Sequence, residues 1–310
     1  MRNPLRLLGL ATVFLAAPVL AQAVPAAPPA AAPAAPSGSV TAASITSADE
    51  LLTALETADK DLTTFESDLL YTKMPNELIG GSPERRKGKL WFFSRPAASV
   101  SGDGNGGGAL AAAGERLFQV EFLELELDGV RREDRQVWIF DGASLVEKNF
   151  ETRLLHRREI ARPGEKADPL AIGEGPLPIP IGQKREKILE RFDATLAPVA
   201  DGFPQPPKAK PDAPDIAPPN WINETHQLLL KPKRGTQEAR DYQEVRIWYR
   251  KSDLLPRLAS AVHRDGSRTE ILLTNAQVNK DIADTVFDTR TPQGWNEQID
   301  PFRQARNADE

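Results

Sequence analysis

The chain contains no cysteine. That excludes disulfides, thiol nucleophiles and Cys-ligated metals, and it removes the residue a lipid-anchored lipoprotein carries at its cleavage site. Histidine is scarce as well. His156, His226 and His263 stand far apart, and none falls in an H-x-H or H-x-x-x-H spacing. A zinc site needs two or more converging ligands, so no metal is expected. No apolar run reaches the roughly 20 residues that a membrane-spanning helix needs. No G-x-S-x-G occurs, so a hydrolase nucleophile elbow has no support. The glycines of 102–108 (GDGNGGG) are not followed by the Lys-Ser or Lys-Thr of a phosphate loop. Counted from Asp103, the position where a calcium loop places its bidentate glutamate is Gly114. These absences leave no constellation for catalysis, and no cofactor is expected.

Excess positive charge is absent too. The formal net charge is -5, which suits neither a phosphate backbone nor an anionic lipid surface. No nucleic-acid partner is expected.

What is present begins with an export signal. Residues Met1 to Ala23 have a basic start (Arg2, Arg6), an apolar run from Leu7 to Leu20 and a small-residue end, Ala21-Gln22-Ala23. That pattern predicts a secretory signal peptide cleaved after Ala23, and hence a soluble exported protein. Residues 24–44 are mostly Ala and Pro. This composition cannot bury apolar surface and predicts a disordered linker, either a tether or an inert tail.

A folded domain is expected over 45–300, followed by a tail at 301–310. Ser47 and Glu50 form a capping-box pattern. Leu51, Leu52, Leu55, Ala58 and Leu62 then recur at helical spacing. Strand signals follow at Phe65–Met74, Lys89–Ser94, Leu117–Leu127, Arg132–Phe140, Leu145–Phe150 and Arg153–Ile160. In the third, Phe118, Val120 and Phe122 alternate, and Leu123, Leu125 and Leu127 continue in the opposite phase. A slip of one residue inside a strand predicts a β-bulge. Asp128-Gly129 and Asp265-Gly266 predict tight hairpin turns. Pro163 to Gly182 breaks the pattern, and Gln183–Phe192 reads as a short helix with Ile188, Leu189 and Phe192 inward. Strands resume at His226–Leu230, Tyr242–Tyr249, Leu258–His263 and Arg268–Val278. Flexible insertions are expected at 97–115 and 201–220, the second Pro-rich.

Short hairpin connections imply antiparallel pairing, and one sheet of this size should curl. The expected fold is mainly β (α+β). It is an unclosed antiparallel half-barrel of about 9–11 strands, with helices covering its concave face. Glu121, Glu124 and Glu126 alternate with apolar residues and read as the solvated face of a strand. Trp91, Phe92, Phe93, Trp138 and Phe140 form the main aromatic group, as ordinary core or as the wall of a cavity.

The order of elements resembles the LolA/LppX/RseB superfamily of periplasmic lipoprotein carriers and their relatives. The resembling pieces are the opening helix, Gly88-Lys89-Leu90-Trp91 with Arg95-Pro96, and the strand Gln136 to Gly142 (QVWIFDG). The C-terminal half adds Leu228–Pro232 (LLLKP), Leu255-Pro256, Asp265 to Thr269 (DGSRT), Asn275, Asn279, Ile282, Phe287 and Pro292 to Trp295 (PQGW). The resemblance implies a half-barrel with a helical lid over a hydrophobic cavity, no cofactor, and acyl chains of lipids or lipoproteins as ligands. It further implies a monomer of the periplasm, not lipid-anchored, served by a membrane-bound donor or acceptor protein. On this reading the wall residues are Leu90, Phe92, Phe118, Val120, Phe122, Trp138, Phe140, Val245, Ile247 and Tyr249. The resemblance gives Arg95, directly before Pro96, the role of gating the lid. The spacing departs from the carriers by one extra residue between Leu90-Trp91 and Arg95. The aromatic segment expected after Pro96 is replaced by Ala97, Ala98, Ser99 and the Gly-rich loop. The same fold in RseB-like proteins leaves a second function open, an envelope sensor or protein-interaction scaffold without lipid transport.

Overall fold

The computed structural model describes residues 45–302, apart from 77, 96–114, 163–176, 178, 180, 182–183 and 207–215. The expected signal peptide, the linker at 24–44, the Gly-rich loop and most of the tail lie outside the described residues. The domain opens with helix α1, Ala48–Ala58. Its start is set by chemistry local to the chain. The Ser47 hydroxyl accepts from the Glu50 amide at 3.2 Å, and the Glu50 carboxylate accepts from the Thr46 amide at 2.7 Å. Two orphan amides of the chain entering the helix are thereby satisfied. Leu51, Leu52 and Leu55 are buried on one side of the helix.

Strands β1 (Thr64–Met74), β2 (Glu84–Arg95), β3 (Glu115–Leu127), β4 (Val130–Phe140), β5 (Ser144–Asn149) and β6 (Leu154–Glu159) follow. Helix α2 (Arg185–Arg191) runs without a loop into β7 (Phe192–Ala197). Then come β8 (Thr225–Pro232), a single helical turn α3 (Glu238–Asp241), β9 (Tyr242–Arg250), β10 (Pro256–His263), β11 (Arg268–Val278) and β12 (Asn296–Asp300). They form one 12-stranded sheet in the order β12-β6-β5-β4-β3-β2-β1-β11-β10-β9-β8-β7. The two ends of that order do not pair, so the sheet is open. The pairing is antiparallel except between β12 and β6, which run parallel.

Twelve strands exceed the 9–11 expected. The additions are β7, a six-residue edge strand hidden behind a helix end, and β12, whose sequence Asn-Glu-Gln-Ile-Asp carries no alternation. β2 also begins at Glu84, before the expected Lys89. Its first residues (ERRKG) read as loop because both faces are charged there, yet the charges meet partners on adjacent strands. Arg85 lies 2.8 Å from Glu126 and Lys87 3.6 Å from Glu124.

The bulge falls where the phase slip placed it. Lys87 pairs with Glu124 while Gly88 pairs with Phe122, leaving Leu123 as the extra residue of β3. Both Asp-Gly turns form. Asp128 and Gly129 have φ of 53° and 75°, the left-handed pair that a tight two-residue hairpin needs.

The sheet packs on both faces. Its concave face carries one cluster of buried side chains running from Leu145 on β5 across to Leu228 and Leu230 on β8. The outer face carries two smaller clusters. Val137, Ile139, Val146 and Leu155 lie under Phe287 and Trp295 of the segment leading to β12. Ile222, Trp248 and Leu258 lie under Val199, Phe203 and Trp221. The ends of the Pro-rich stretch are therefore strapped to the sheet: the Trp248 indole donates to the Val199 carbonyl at 2.8 Å, and Gln205 both accepts from and donates to the backbone of Ile216. Among the described residues, no helix is long and apolar enough to cross a membrane.

Candidate functional site

Strand parity decides what faces the concavity. Leu90 and Phe92 on β2, Phe118, Val120 and Phe122 on β3, Phe140 on β4, and Val245, Ile247 and Tyr249 on β9 all belong to the large inner cluster, each at most 1% exposed. Trp138 packs against the same cluster at its rim. Its ring meets Phe122 edge-on at 5.0 Å, and Tyr71 meets both. All ten residues named as a wall are thus brought onto one face. The aromatic group as a whole is not: Trp91 and Phe93 have the opposite parity on β2, and the Phe93 ring lies tilted 6.3 Å from that of Phe287 of the outer face.

Three pieces cover this wall. Leu51, Leu52 and Leu55 come from α1, Ile188 from α2, and Leu177, Ile179 and Ile181 from the segment before α2. The last three are at most 2% exposed. They sit in a stretch that looked like a break, because prolines interrupt it (LPIPI, 177–181). The signal that finds them lies in the sequence, where apolar Leu177, Ile179 and Ile181 recur at a period of two.

Among the described residues, the cover is tied down on both sides. On the α2 side, Lys233 donates to the Leu189 carbonyl at 2.5 Å and Arg191 meets Glu238 at 3.1 Å. Arg185 of α2 bonds Asp49 of α1. On the other side, Arg116 at the start of β3 donates to the Ile181 carbonyl and lies 5.3 Å from the Phe92 ring. Arg116 has the parity of Phe118, Val120 and Phe122, so it is a cation on the apolar stripe. That parity is the signal that could have singled it out. Arg95 has the opposite parity. It is exposed, and its guanidinium lies 5.2 Å from the ring of Phe93, itself an outer-face residue. Among the described residues, Arg116 is a cation of the sheet that contacts the cover.

The glutamates of β3 stay outside. Glu121, Glu124 and Glu126 lie on the outer face, paired with Arg135, Lys87 and with Arg85 and Arg131. A depression of about 250 Å3 on that face is lined by Leu70, Arg85, Lys87, Glu124, Leu125, Glu126 and Arg131. Paired charges make it a poor host for a hydrocarbon.

Two histidines are held neutral. Burial, with Lys251 nearby, pushes His226 below the ordinary imidazole pKa. Burial does the same to His263, helped by Lys73 and opposed by Asp265 and Asp241. The unfolded chain takes up these protons more readily, so their contribution to stability is present above a pH of about 6.5 and lost as pH falls through that value. Glu270, pushed up by burial, works in the opposite sense. The urea midpoint is therefore expected to drop between about pH 7.5 and 5.5, and to drop less in the His226→Gln/His263→Gln double variant. Equal drops in both proteins would show that other groups carry the dependence.

No family model matches the chain, and no curated protein matches it in sequence. Among solved structures it is similar to an uncharacterized conserved protein of Thermus thermophilus, with a TM-score of 0.40 and 12% identity over 82% of this chain and 99% of that one. It is similar to a chain of the Pseudomonas aeruginosa MucA/MucB complex, at 0.35 and 13% over 78% of this chain and 60% of that one. A LolA superfamily protein of Nitrosomonas europaea matches at 0.30 and 11%, over 78% and 98%. Likenesses at these TM-scores carry no functional argument; the geometry of the covered face does.

Proposed function

We propose that this protein holds the acyl chain of a lipid or lipoprotein between the concave face of its sheet and the cover formed by α1, α2 and the 177–181 segment, as a carrier in the periplasm. One observation carries this reading: an apolar wall continuous from β5 to β8, buried beneath pieces that are separate from the sheet. A carrier needs such continuity. Each methylene contributes about 0.8 kcal/mol, so a long acyl chain must be offered roughly 10 kcal/mol of apolar contact before it leaves a bilayer. The resemblance of the sequence to LolA-like carriers points the same way.

The mechanism is passive. α2 is tied to the strand that continues it, whereas the 177–181 segment is held by Arg116 from β3. Breaking the Arg116 bond to Ile181 loosens that side of the cover while the ties of α2 hold. A donor or acceptor that stabilises the open form loads or unloads the chain, which requires only a difference in affinity between the two states.

Native mass spectrometry of protein taken from its own envelope tests the reading. Adducts with the masses of acyl lipids are expected, as is saturable binding of a fluorescent fatty acid after delipidation. A protein free of adducts that also fails to bind the probe leaves only an exported β scaffold. Within a binding-competent protein, Arg116→Ala is expected to speed release of the probe about tenfold, the worth of one hydrogen bond from a charged donor. Arg95→Ala, at an exposed outer-face position, is the comparison and is expected to speed release less than Arg116→Ala. If Arg95→Ala speeds release and Arg116→Ala does not, the cover is held differently.

A further inference from the structure

The inner cluster contains a polar atom that it does not satisfy. Tyr249 follows Val245 and Ile247 as an inward residue of β9 and is 1% exposed. Its hydroxyl is buried and has no hydrogen-bond partner among the described residues. Phenylalanine would fill the same space without an orphan donor, so the hydroxyl costs the empty protein stability. Such a group makes sense where an acceptor arrives with a ligand.

The surroundings say which acceptor fits. Burial, with Asp59 at the end of α1 adding to it, pushes the Tyr249 hydroxyl well above the usual phenol range, so it stays a donor. His226, whose Cα pairs with that of Tyr249, is held neutral by burial. Taking a charged carboxylate into this buried apolar corner costs far more than taking a neutral carbonyl, so a neutral carbonyl is the favoured acceptor.

We infer that Tyr249 is the polar anchor of the bound chain, its hydroxyl donating to the ester or amide carbonyl at the head of an acyl group. The inference rests on the acyl-binding reading above, and it adds a preference: esters and amides over hydrocarbons and over free fatty acids.

Monopalmitoylglycerol and its hexadecyl ether analogue share chain and head group and differ in the carbonyl oxygen. Displacement of a fluorescent fatty acid by each measures the anchor directly. The wild-type protein is expected to bind the ester about tenfold tighter than the ether, the effect of one well-made hydrogen bond against a buried unpaired donor. In Tyr249→Phe the ratio is expected to fall to about one, with the ether bound as before. A ratio near one in the wild type, or a ratio that survives in Tyr249→Phe, overturns the anchor while leaving acyl binding intact. Failure of the wild type to bind either compound sinks acyl binding itself, and the anchor with it. The empty Tyr249→Phe protein supplies a check that needs no ligand. It is expected to unfold at the same urea concentration as the wild type or higher. A clear loss would mean that the hydroxyl already has a partner, and the anchor would fall.

Discussion

Replacing Arg86 with methionine is expected to cost the fold about 3–5 kcal/mol, the usual effect of stranding one charge of a buried pair. Arg86 points to the concave side of β2, where its guanidinium lies 5.8 Å from the Phe122 ring. There it meets Asp134 at 2.6 Å, with side-chain exposures of 12% and 2%. Asp134 has Gln136 as a further donor at 3.2 Å, whereas Arg86 also reaches Glu84 at 2.6 Å. The two single variants should therefore differ. Without Arg86, Asp134 keeps one neutral donor in an apolar corner. Without Asp134, Arg86 still has Glu84 beside it, so Asp134→Leu should fall at the lower end of the same range. The Arg86→Met/Asp134→Leu double variant should recover most of the loss, because a buried pair gains little over well-packed apolar side chains. Urea unfolding of the four proteins gives the coupling energy. A double variant as unstable as the sum of the singles would show that the two charges act independently.

The pair also illustrates why the two ends of β2 differ in legibility. Leu90 and Phe92 sit in an apolar run, Leu90 to Phe93, that marks this end as a strand without saying which parity faces inward. The segment Glu84 to Lys87 has no apolar residue at all, so periodicity is silent there. What makes it a strand is supplied by partners distant in sequence, Glu124, Glu126 and Asp134, whose positions only the folded sheet reveals. The same limit hid β12, whose polar residues are recruited by β6.

The wall was readable and its cover only partly so. Within each strand the wall residues share one parity, which is a local property, while which parity faces inward is decided by the fold. The opening helix was equally local, with its cap and its leucine stripe in one short stretch. The cover beyond α1 depends on where an irregular segment is laid. Leu177, Ile179 and Ile181 carry no propensity signal amid prolines, and nothing local says that Arg116 will find the Ile181 carbonyl. Arg95 has the parity of Trp91 and Phe93, and the extra residue between Leu90-Trp91 and Arg95 sets that parity.

Gly88→Ala is expected to destabilise the protein by about 3 kcal/mol and Gly88→Val to prevent folding, at the upper end of what overpacking costs. Local reasoning gives the opposite sign. Glycine inside a strand loses backbone entropy and packs nothing, so alanine or valine should add about 0.5–1 kcal/mol of stability. The bulge decides between them. A Cβ at position 88 would lie 1.9 Å from the Glu121 carbonyl oxygen, 2.8 Å from its carbon and 2.9 Å from the Phe122 Cα. All three are backbone atoms, so no rotamer change relieves the contact. β3 would have to move away from β2 where Leu123 is inserted. A bulge bends its strand, and this one bends the central strands of a sheet whose curvature creates the concave wall. Gly129 is the control: it has a φ of 75° but nothing within 4 Å of its would-be Cβ, so Gly129→Asn, which tolerates that φ, should cost under about 1 kcal/mol. Denaturant midpoints settle the sign. A Gly88→Ala protein that is more stable than the wild type would mean that β2 and β3 are not pressed together there. The curl of the sheet would then have to come from its general twist, not from a bulge closed against glycine.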